Sequence, residues 1–231
     1  MPGDVLDYYL GLGYYRMNQD LFTCRFLPVE TEVHTVHWLR VVLAQVAYGS
    51  KQRQLLRQNA RFTAMAKPFR LTAEYEALYT RYHQHIDFDA AESLEALLLA
   101  GASHSVFNTQ VVEVRDGERL IAAGILDRGT ASIAGIVNFY DPDYRKYSLG
   151  KYLLLLKIEH ARQQQLTYYY PGYLVHGYPK FDYKLFACLA ATEVFDCRSS
   201  LWQSFSWAAV AGQSAAITAD WHRQSWADEE K

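Results

Sequence analysis

Between Ser105 and Asp143 the chain reads SVFNTQVVEVRDGERLIAAGILDRGTASIAGIVNFYDPD, and no other stretch restricts its fold as strongly. Apolar residues recur at alternate positions, and two turn signals, Asp116-Gly117 and Asp127-Arg128-Gly129, divide the run. Alternation sends successive side chains to opposite faces of a strand, and an Asp-Gly pair supplies the positive φ of a tight hairpin. The block predicts an antiparallel meander with strands near 106–114, 119–127 and 131–140. The period then changes. SLGKYLLLLKIEHARQQQ (148–165) has helical spacing, and YYYPGYLVHGYPKFDYK (168–184) begins as a strand. A meander, a helix and a further strand make an α+β chain with one central mixed sheet flanked by helices.

Upstream, VHWLRVVLAQVAY (36–48) reads as a strand, with Ser50 capping a helix at KQRQLLRQNARF. On that helix Arg53, Arg57 and Arg61 recur at i, i+4 and i+8 and share a face. Thr72 caps the next helix, with Glu74 and Glu76 in its first turn, and AAESLEALLLAG (90–101) is a third, ended by Gly101. Charge is uneven. Arg40, Lys51, Arg53, Arg57, Arg61, Lys67 and Arg70 fall between Val33 and Ala73 with no acidic residue among them, although the whole chain carries −2. A solvated basic helix face has this pattern; so does a surface for nucleic acid or phosphate. Three widely spaced cysteines, Cys24, Cys188 and Cys197, exclude a disulfide scaffold and fit a reducing cytoplasm. No run approaches the ~20 apolar residues of a membrane span, and MPGDVLDYYLGLG has no basic n-region. The expected organisation is an N-terminal appendage (1–72, with the basic segment 33–73), a catalytic domain (73–205) and a tail (206–231) ending in a frayed acidic terminus.

At the meander-to-helix junction, RKYSLGKY places Arg145, Ser148, Leu149 and Gly150 where successive backbone amides open a helix, an arrangement suited to an anion or oxyanion. A plain Ser148 N-cap is the structural alternative. Arg145-x-x-Ser148-x-Gly150 resembles the R/Q-x-x-G-x-G/A loop of GCN5-related N-acyltransferases, with Ser for the first Gly. The longer stretch resembles the C-terminal half of arginyl-tRNA–protein transferases and of their bacterial relatives that transfer leucine to acidic N-termini. The residues that carry it are Phe139 to Asp143, Ser148 to Gly150, Ile158-Glu159-x-Ala161-Arg162, Tyr168 to Tyr173 and Pro179-Lys180-Phe181-Asp182-Tyr183-Lys184. Upstream, Gly13-Tyr14-Tyr15-Arg16, the segment from Ser50 to Asn59, and Glu76-x-Leu78-Tyr79-x-x-Tyr82 resemble further family segments. The four-cysteine cluster common in that family is missing; only Cys24 is kept, with His34 and His37 nearby, and no metal or other cofactor is expected.

The resemblance implies an acyltransferase-like sheet and an enzyme that moves arginine or leucine from charged tRNA to an acidic protein N-terminus, as a cytoplasmic monomer. A transferase acting on a small molecule from acyl-CoA or aminoacyl-tRNA, and a non-catalytic tRNA-binding module, are the competing functions. Aminolysis of the ester needs a neutral amine, an oxyanion site and a proton for the leaving ribose oxygen. His176 has the side chain suited to proton exchange near neutrality. Tyr173 and Tyr183 are candidate donors, and Asp141 a candidate anchor for the amine. Lys180 and Lys184, at i and i+4, are candidates for a phosphate or an acidic acceptor, as is Arg16. Lys51, Arg53, Arg57 and Arg61 are the candidate tRNA contacts. The residues alone leave each with a structural alternative: a bonded loop histidine, core tyrosines, a turn aspartate, surface lysines, or an arginine that holds the appendage together.

Overall fold

The computed structural model describes residues 1–88 and 90–229; Glu230 and Lys231, and with them the end of the expected frayed terminus, lie outside the described residues. The elements, in order, are α1 (Gly3–Gly11), β1 (Tyr15–Met17), β2 (Asp20–Phe22), β3 (Phe26–Val29), β4 (Glu32–Val42), α2 (Ser50–Asn59), β5 (Thr63–Pro68), α3 (Ala73–His83) and α4 (Leu94–Leu98). The meander follows as β6 (Thr109–Asp116), β7 (Arg119–Arg128) and β8 (Ser132–Tyr140), then α5 (Leu149–Gln163), β9 (Tyr168–Val175), β10 (Thr192–Asp196), β11 (Leu201–Ser204) and α6 (Trp207–Glu229).

The main sheet runs β11-β10-β4-β9-β8-β7-β6-β5, with β3 added beside β4. Neighbours are antiparallel except β8 and β9, which are parallel. This is the α+β architecture expected, a mixed sheet flanked by helices. The meander also lies as expected: Asp116 pairs with Arg119 across a two-residue turn in which Gly117 has φ +61°. One face of the sheet is covered by α5, whose Leu149, Leu153, Leu155 and Ile158 are fully buried. On the other face, Tyr75, Leu78 and Tyr79 of α3 pack with Ile125 and Phe139.

Several boundaries differ from those read in the sequence. The strand read as 36–48 is β4, which ends at Val42 because pairing with β9 stops there; Leu43 N donates to Thr167 O instead and a short 3₁₀ turn follows. The first meander strand starts at Thr109, since Ser105 turns the chain, accepting from Phe107 N at 3.1 Å. The third helix shrinks to α4. Ser93 caps it, and the Glu76 carboxylate of α3 accepts from the Leu94 and Glu95 amides at 3.1 and 2.9 Å. The boundary expected at 72/73 falls inside a continuous sheet: β4 and β5 precede it in sequence, yet β4 sits between β9 and β10, and β5 pairs β6.

Candidate active site

The parallel pair β8–β9 is joined at only three positions, Ser132–Tyr168, Ile133–Tyr169 and Ala134–Tyr170. Beyond them β8 continues to Tyr140 and β9 to Val175 without a common ladder. Two irregularities mark the opening. The β7–β8 register shifts after Ile125–Val137 to Leu126–Gly135, which leaves Ile136 as a bulge, and Gly172 of β9 has φ +96°, a region that only glycine enters without strain. Tyr15 of β1 fills the gap, its hydroxyl donating to Gly135 O while its ring stacks on Trp38 at 5.4 Å. The splay forms a cleft of about 190 Å³, lined by Tyr15, Asn138, Lys157, Tyr169, Tyr173, Tyr183 and Lys184 among others. Among the described residues lining it there is no carboxylate.

Two lysines line this cleft. Lys157 stands on α5, three residues after Leu154 and four before Ala161, so helical spacing places a cation on the apolar stripe. It is 1 % exposed; its Nζ donates to Ile125 O at 2.7 Å and to Val137 O at 3.3 Å, carbonyls beside the bulge. Burial lowers its pKa to about 7, against an opposing pull from Asp127. Lys184 is half-buried, donates to Tyr173 O at 2.6 Å, and lies over the rings of Phe181 and Tyr173 at 4.6 and 4.9 Å. Burial lowers it, too, to about 7. Tyr183 lines the same cleft; although 41 % of the residue is exposed, burial first and Tyr173 second raise its phenol pKa.

The structure gathers some of the residues singled out in the sequence and disperses others. Tyr173, Tyr183 and Lys184 meet in the cleft. His176 does not: past the end of β9, its ring stands edge-on to His37 at 6.3 Å, and it is not among the cleft-lining residues. Lys180 parts from Lys184 because residues 179–186 form a 3₁₀ turn, where i and i+4 diverge by about 120°; its Nζ pairs with Asp87 at 2.8 Å. Asp141 is 1 % exposed, ion-paired with Arg119 at 2.7 Å and Arg81 at 3.3 Å, and caps the following 3₁₀ turn. Arg16 is equally committed. Its Nη1 holds Asp127 at 2.8 and 3.1 Å and Thr109 Oγ1 at 3.0 Å, Nη2 donates to Leu98 O at 2.6 Å, and the guanidinium covers Phe107. These bonds make Asp141 a turn aspartate and Arg16 a tie between β1 and the meander.

Beside the cleft, α5 begins after Ser148, whose φ of +51° is left-handed and whose side chain makes no cap bond. The first-turn amides of Leu149, Gly150 and Lys151 have no intrahelical partner, while the Leu149 side chain is fully buried. Arg145, Lys146 and Lys151 are exposed around this terminus. α2 docks against the same turn, Asn59 Nδ2 donating to Tyr147 O at 3.1 Å and Gln58 Nε2 to Lys146 O at 3.3 Å. Lys51, Arg53, Arg57 and Arg61, all exposed, thus continue the basic surface, with Arg61 beyond the end of α2 rather than on its face.

The two histidines near Cys24 are engaged in hydrogen bonds. His37 is buried and bonded through both nitrogens, to Gln213 Oε1 at 2.9 Å and to Ser214 Oγ at 2.9 Å, and His34 Nδ1 is bonded to His176 O at 3.1 Å. Among the described residues no three His, Cys, Asp or Glu side chains come together as a metal cage.

Residues 74–187, which carry the splay, α5 and the lysine-bearing turn, match the family described as arginine-tRNA-protein transferase, C terminus. Over this segment the chain is similar to that family. The aspartate/glutamate leucyltransferase of Hahella chejuensis is 32 % identical over 139 residues, 58 % of this chain and 58 % of that protein. That of Nitrosococcus oceani is 30 % identical over 150 residues, 63 % of this chain and 62 % of the relative. The match thus spans about three fifths of each relative's length. Among solved structures, the C-terminal domain of a putative lysylphosphatidylglycerol synthetase from Agrobacterium fabrum aligns with a TM-score of 0.48 at 13 % identity, covering 65 % of this chain and 55 % of that one. Sequence reasoning had passed over four cleft residues: Tyr15, Asn138, Lys157 and Tyr169. Only Lys157 left a sequence signal, a lysine at core spacing within an apolar helix.

Proposed function

We propose that the chain transfers a neutral, leucine-type amino acid from charged tRNA to the N-terminal α-amine of a protein that begins with Asp or Glu. The observation that carries this is the composition of the cleft: aromatic and aliphatic walls, two lysines and no carboxylate. An arginyl side chain entering it would be desolvated beside Lys157 and Lys184 with no acidic partner, whereas a leucyl chain would bury apolar surface, worth about 25 cal/mol per Å². The names of the relatives, aspartate/glutamate leucyltransferase, support the same donor and the same acidic acceptor.

The chemistry follows from the geometry. The basic surface of α2 and the α5 terminus receives the phosphates of the acceptor arm, and the open amides of Leu149, Gly150 and Lys151 hold an anionic oxygen next to the cleft. The aminoacyl ester then extends between β8 and β9. Lys184, the cation nearer solvent, donates to the oxyanion that forms when the amine attacks, and attracts the acceptor's carboxylate beforehand. Tyr183 and Tyr173, whose phenols stay protonated, supply hydrogen bonds to the departing ribose oxygen. Holding two macromolecular ends together provides much of the acceleration.

The test is a mass-shift assay. The protein is incubated with a mixture of charged tRNAs and peptides that start with Asp, Glu, Ala or Arg. The expected product is a leucine mass added to the Asp and Glu peptides. Addition of arginine in preference, or acylation only when acyl-CoA replaces charged tRNA, contradicts the proposal.

A further inference from the structure

The cleft holds a polar group that the transfer scheme above leaves unused. Lys157 is buried at its base, and its surroundings are shaped around it. Gly124 of β7 is required for close approach: a Cβ there would lie 2.8 Å from Lys157 Cε and 2.9 Å from Asn138 Oδ1. The lysine end and the asparagine oxygen therefore converge on one point of the cleft wall. Asn138 Oδ1 is buried and has no hydrogen-bond partner, which is costly for an amide oxygen. Lys157 donates to two carbonyls, Ile125 O and Val137 O. An ammonium carries three N–H donors; two are in use here, and the idle Asn138 Oδ1 faces the same Gly124 position as the lysine end.

We propose that Lys157 is the proton acceptor of the transfer reaction, taking the proton of the acceptor's α-ammonium, with Ile125 O, Val137 O and Asn138 Oδ1 receiving the three N–H groups of the ammonium it becomes. This rests on the aminoacyl-transfer reading of the cleft. The step balances. The α-ammonium gives one proton to the Lys157 lone pair, and its freed lone pair attacks the ester carbonyl. The C–N bond forms and the bond from carbonyl carbon to ribose oxygen breaks. The second proton on the attacking nitrogen leaves with the ribose hydroxyl, and Lys157 returns its proton to water after product release. The lowered pKa of Lys157, about 7, means that a substantial fraction is neutral at working pH.

The charged and titratable groups facing Lys157 allow this assignment. Asp127 of β7 lies in its field but is held by Arg16 of β1. Tyr15 of β1, Tyr169 of β9, and Tyr183 and Lys184 of the 3₁₀ turn line the same cleft. Burial raises the three phenols above their ordinary value, so they remain neutral. Lys184 is the competing base, but its amine has one carbonyl partner and three rings, a poorer setting for a newly formed ammonium.

The experiment is the pH profile of kcat for leucine transfer to an Asp-starting peptide, in wild type, Lys157→Arg and Asn138→Asp, with the melting temperature of each. Arginine keeps the cation and its donors but does not release a proton near neutrality, so Lys157→Arg is expected to lower kcat about 10²–10⁴-fold with the fold retained. Asn138→Asp places a carboxylate beside the ammonium and is expected to move the acidic limb of the profile up by about one pH unit. If Lys157→Arg does not fold, the shift in Asn138→Asp decides alone. A lysine that only ties β7 to β8 predicts another pattern: kcat within about threefold of wild type in folded Lys157→Arg and an unmoved limb in Asn138→Asp. That pattern overturns the role of Lys157 and leaves the transfer reading standing. No transfer by the wild-type protein from any charged tRNA overturns both.

Discussion

Replacing Arg16 by methionine is expected to destabilise the fold by about 3–5 kcal/mol, the range for removing one partner of a buried ion pair. The side chains of Arg16 and Asp127 are 1 % and 0 % exposed and lie 2.8 Å apart. Methionine fills a similar volume but leaves the Asp127 carboxylate buried with Thr109 Oγ1 as its remaining donor at 2.7 Å. It also removes the 2.6 Å bond from Nη2 to Leu98 O, which keeps Gln19 Nε2 as its donor. Asn at position 127 in the same chain should recover part of the loss, since the charge left alone is the main cost. Denaturant titration of the single and double mutants measures both. An Arg16→Met protein of wild-type stability with altered acceptor preference would return Arg16 to the binding role its motif suggested.

Stability should also rise with pH through a window where most proteins change little. Lys157 has a folded pKa near 7 against an ordinary value of 10.5. Between those values the unfolded chain binds more protons than the folded one, so unfolding becomes less favourable as pH rises. Below about 7 both states are protonated and the cost of burying the cation is present in full. The slope climbs from about half of 1.36 kcal/mol per pH unit at pH 7 towards the full value, so the gain from pH 7 to 8.5 is about 1.6 kcal/mol from Lys157. Lys184 acts in the same direction, weakened by its contact with water. Above this window Cys24 and Cys197, with thiol pKa values raised by burial, act in the opposite direction. Comparing unfolding free energies at pH 7.0 and 8.5 in wild type and Lys157→Met should show the gain in the first and most of it gone in the second. A flat or falling wild-type profile means that folded Lys157 stays charged up to pH 8.5.

The parts of the fold legible in the sequence are those set by local physics. Alternation and the Asp116-Gly117 turn fix the meander, and the run from Leu149 to Ala161 announces a buried helix. Thr72 and its acidic first turn mark the start of α3, where Thr72 Oγ1 accepts from Tyr75 N. Placement across the sheet is another matter. Nothing local in Glu32–Val42 says that β4 enters between β9 and β10, because that pairing is long-range and compatible with any hydrophobic strand. The site divides in the same way. Tyr173, Tyr183 and Lys184 were visible because their segment carries unusual chemistry for a strand and turn. His176 was chosen because an imidazole can exchange a proton near neutrality, but one residue past β9 the chain turns its ring towards His37, and side-chain chemistry carries no information about direction. The 3₁₀ geometry of 179–186 separated two lysines that α-helical spacing would have aligned. Lys157 drew no reading of its own, although its spacing within an apolar helix is that of the core.

The central claim is that transfer takes place in the splay between β8 and β9, and one comparison addresses it directly: kcat/KM for leucine transfer to an Asp-starting peptide in Lys184→Met and in His176→Ala. Lys184 lines the cleft and His176 does not. Removing one preorganised donor to an oxyanion costs about 10²–10³-fold. Lys184→Met should therefore fall by about 10²-fold or more with its melting temperature kept, while His176→Ala stays within about threefold of wild type. A large loss in His176→Ala beside a nearly unchanged Lys184→Met would contradict the claim and move the chemistry to the far end of β9.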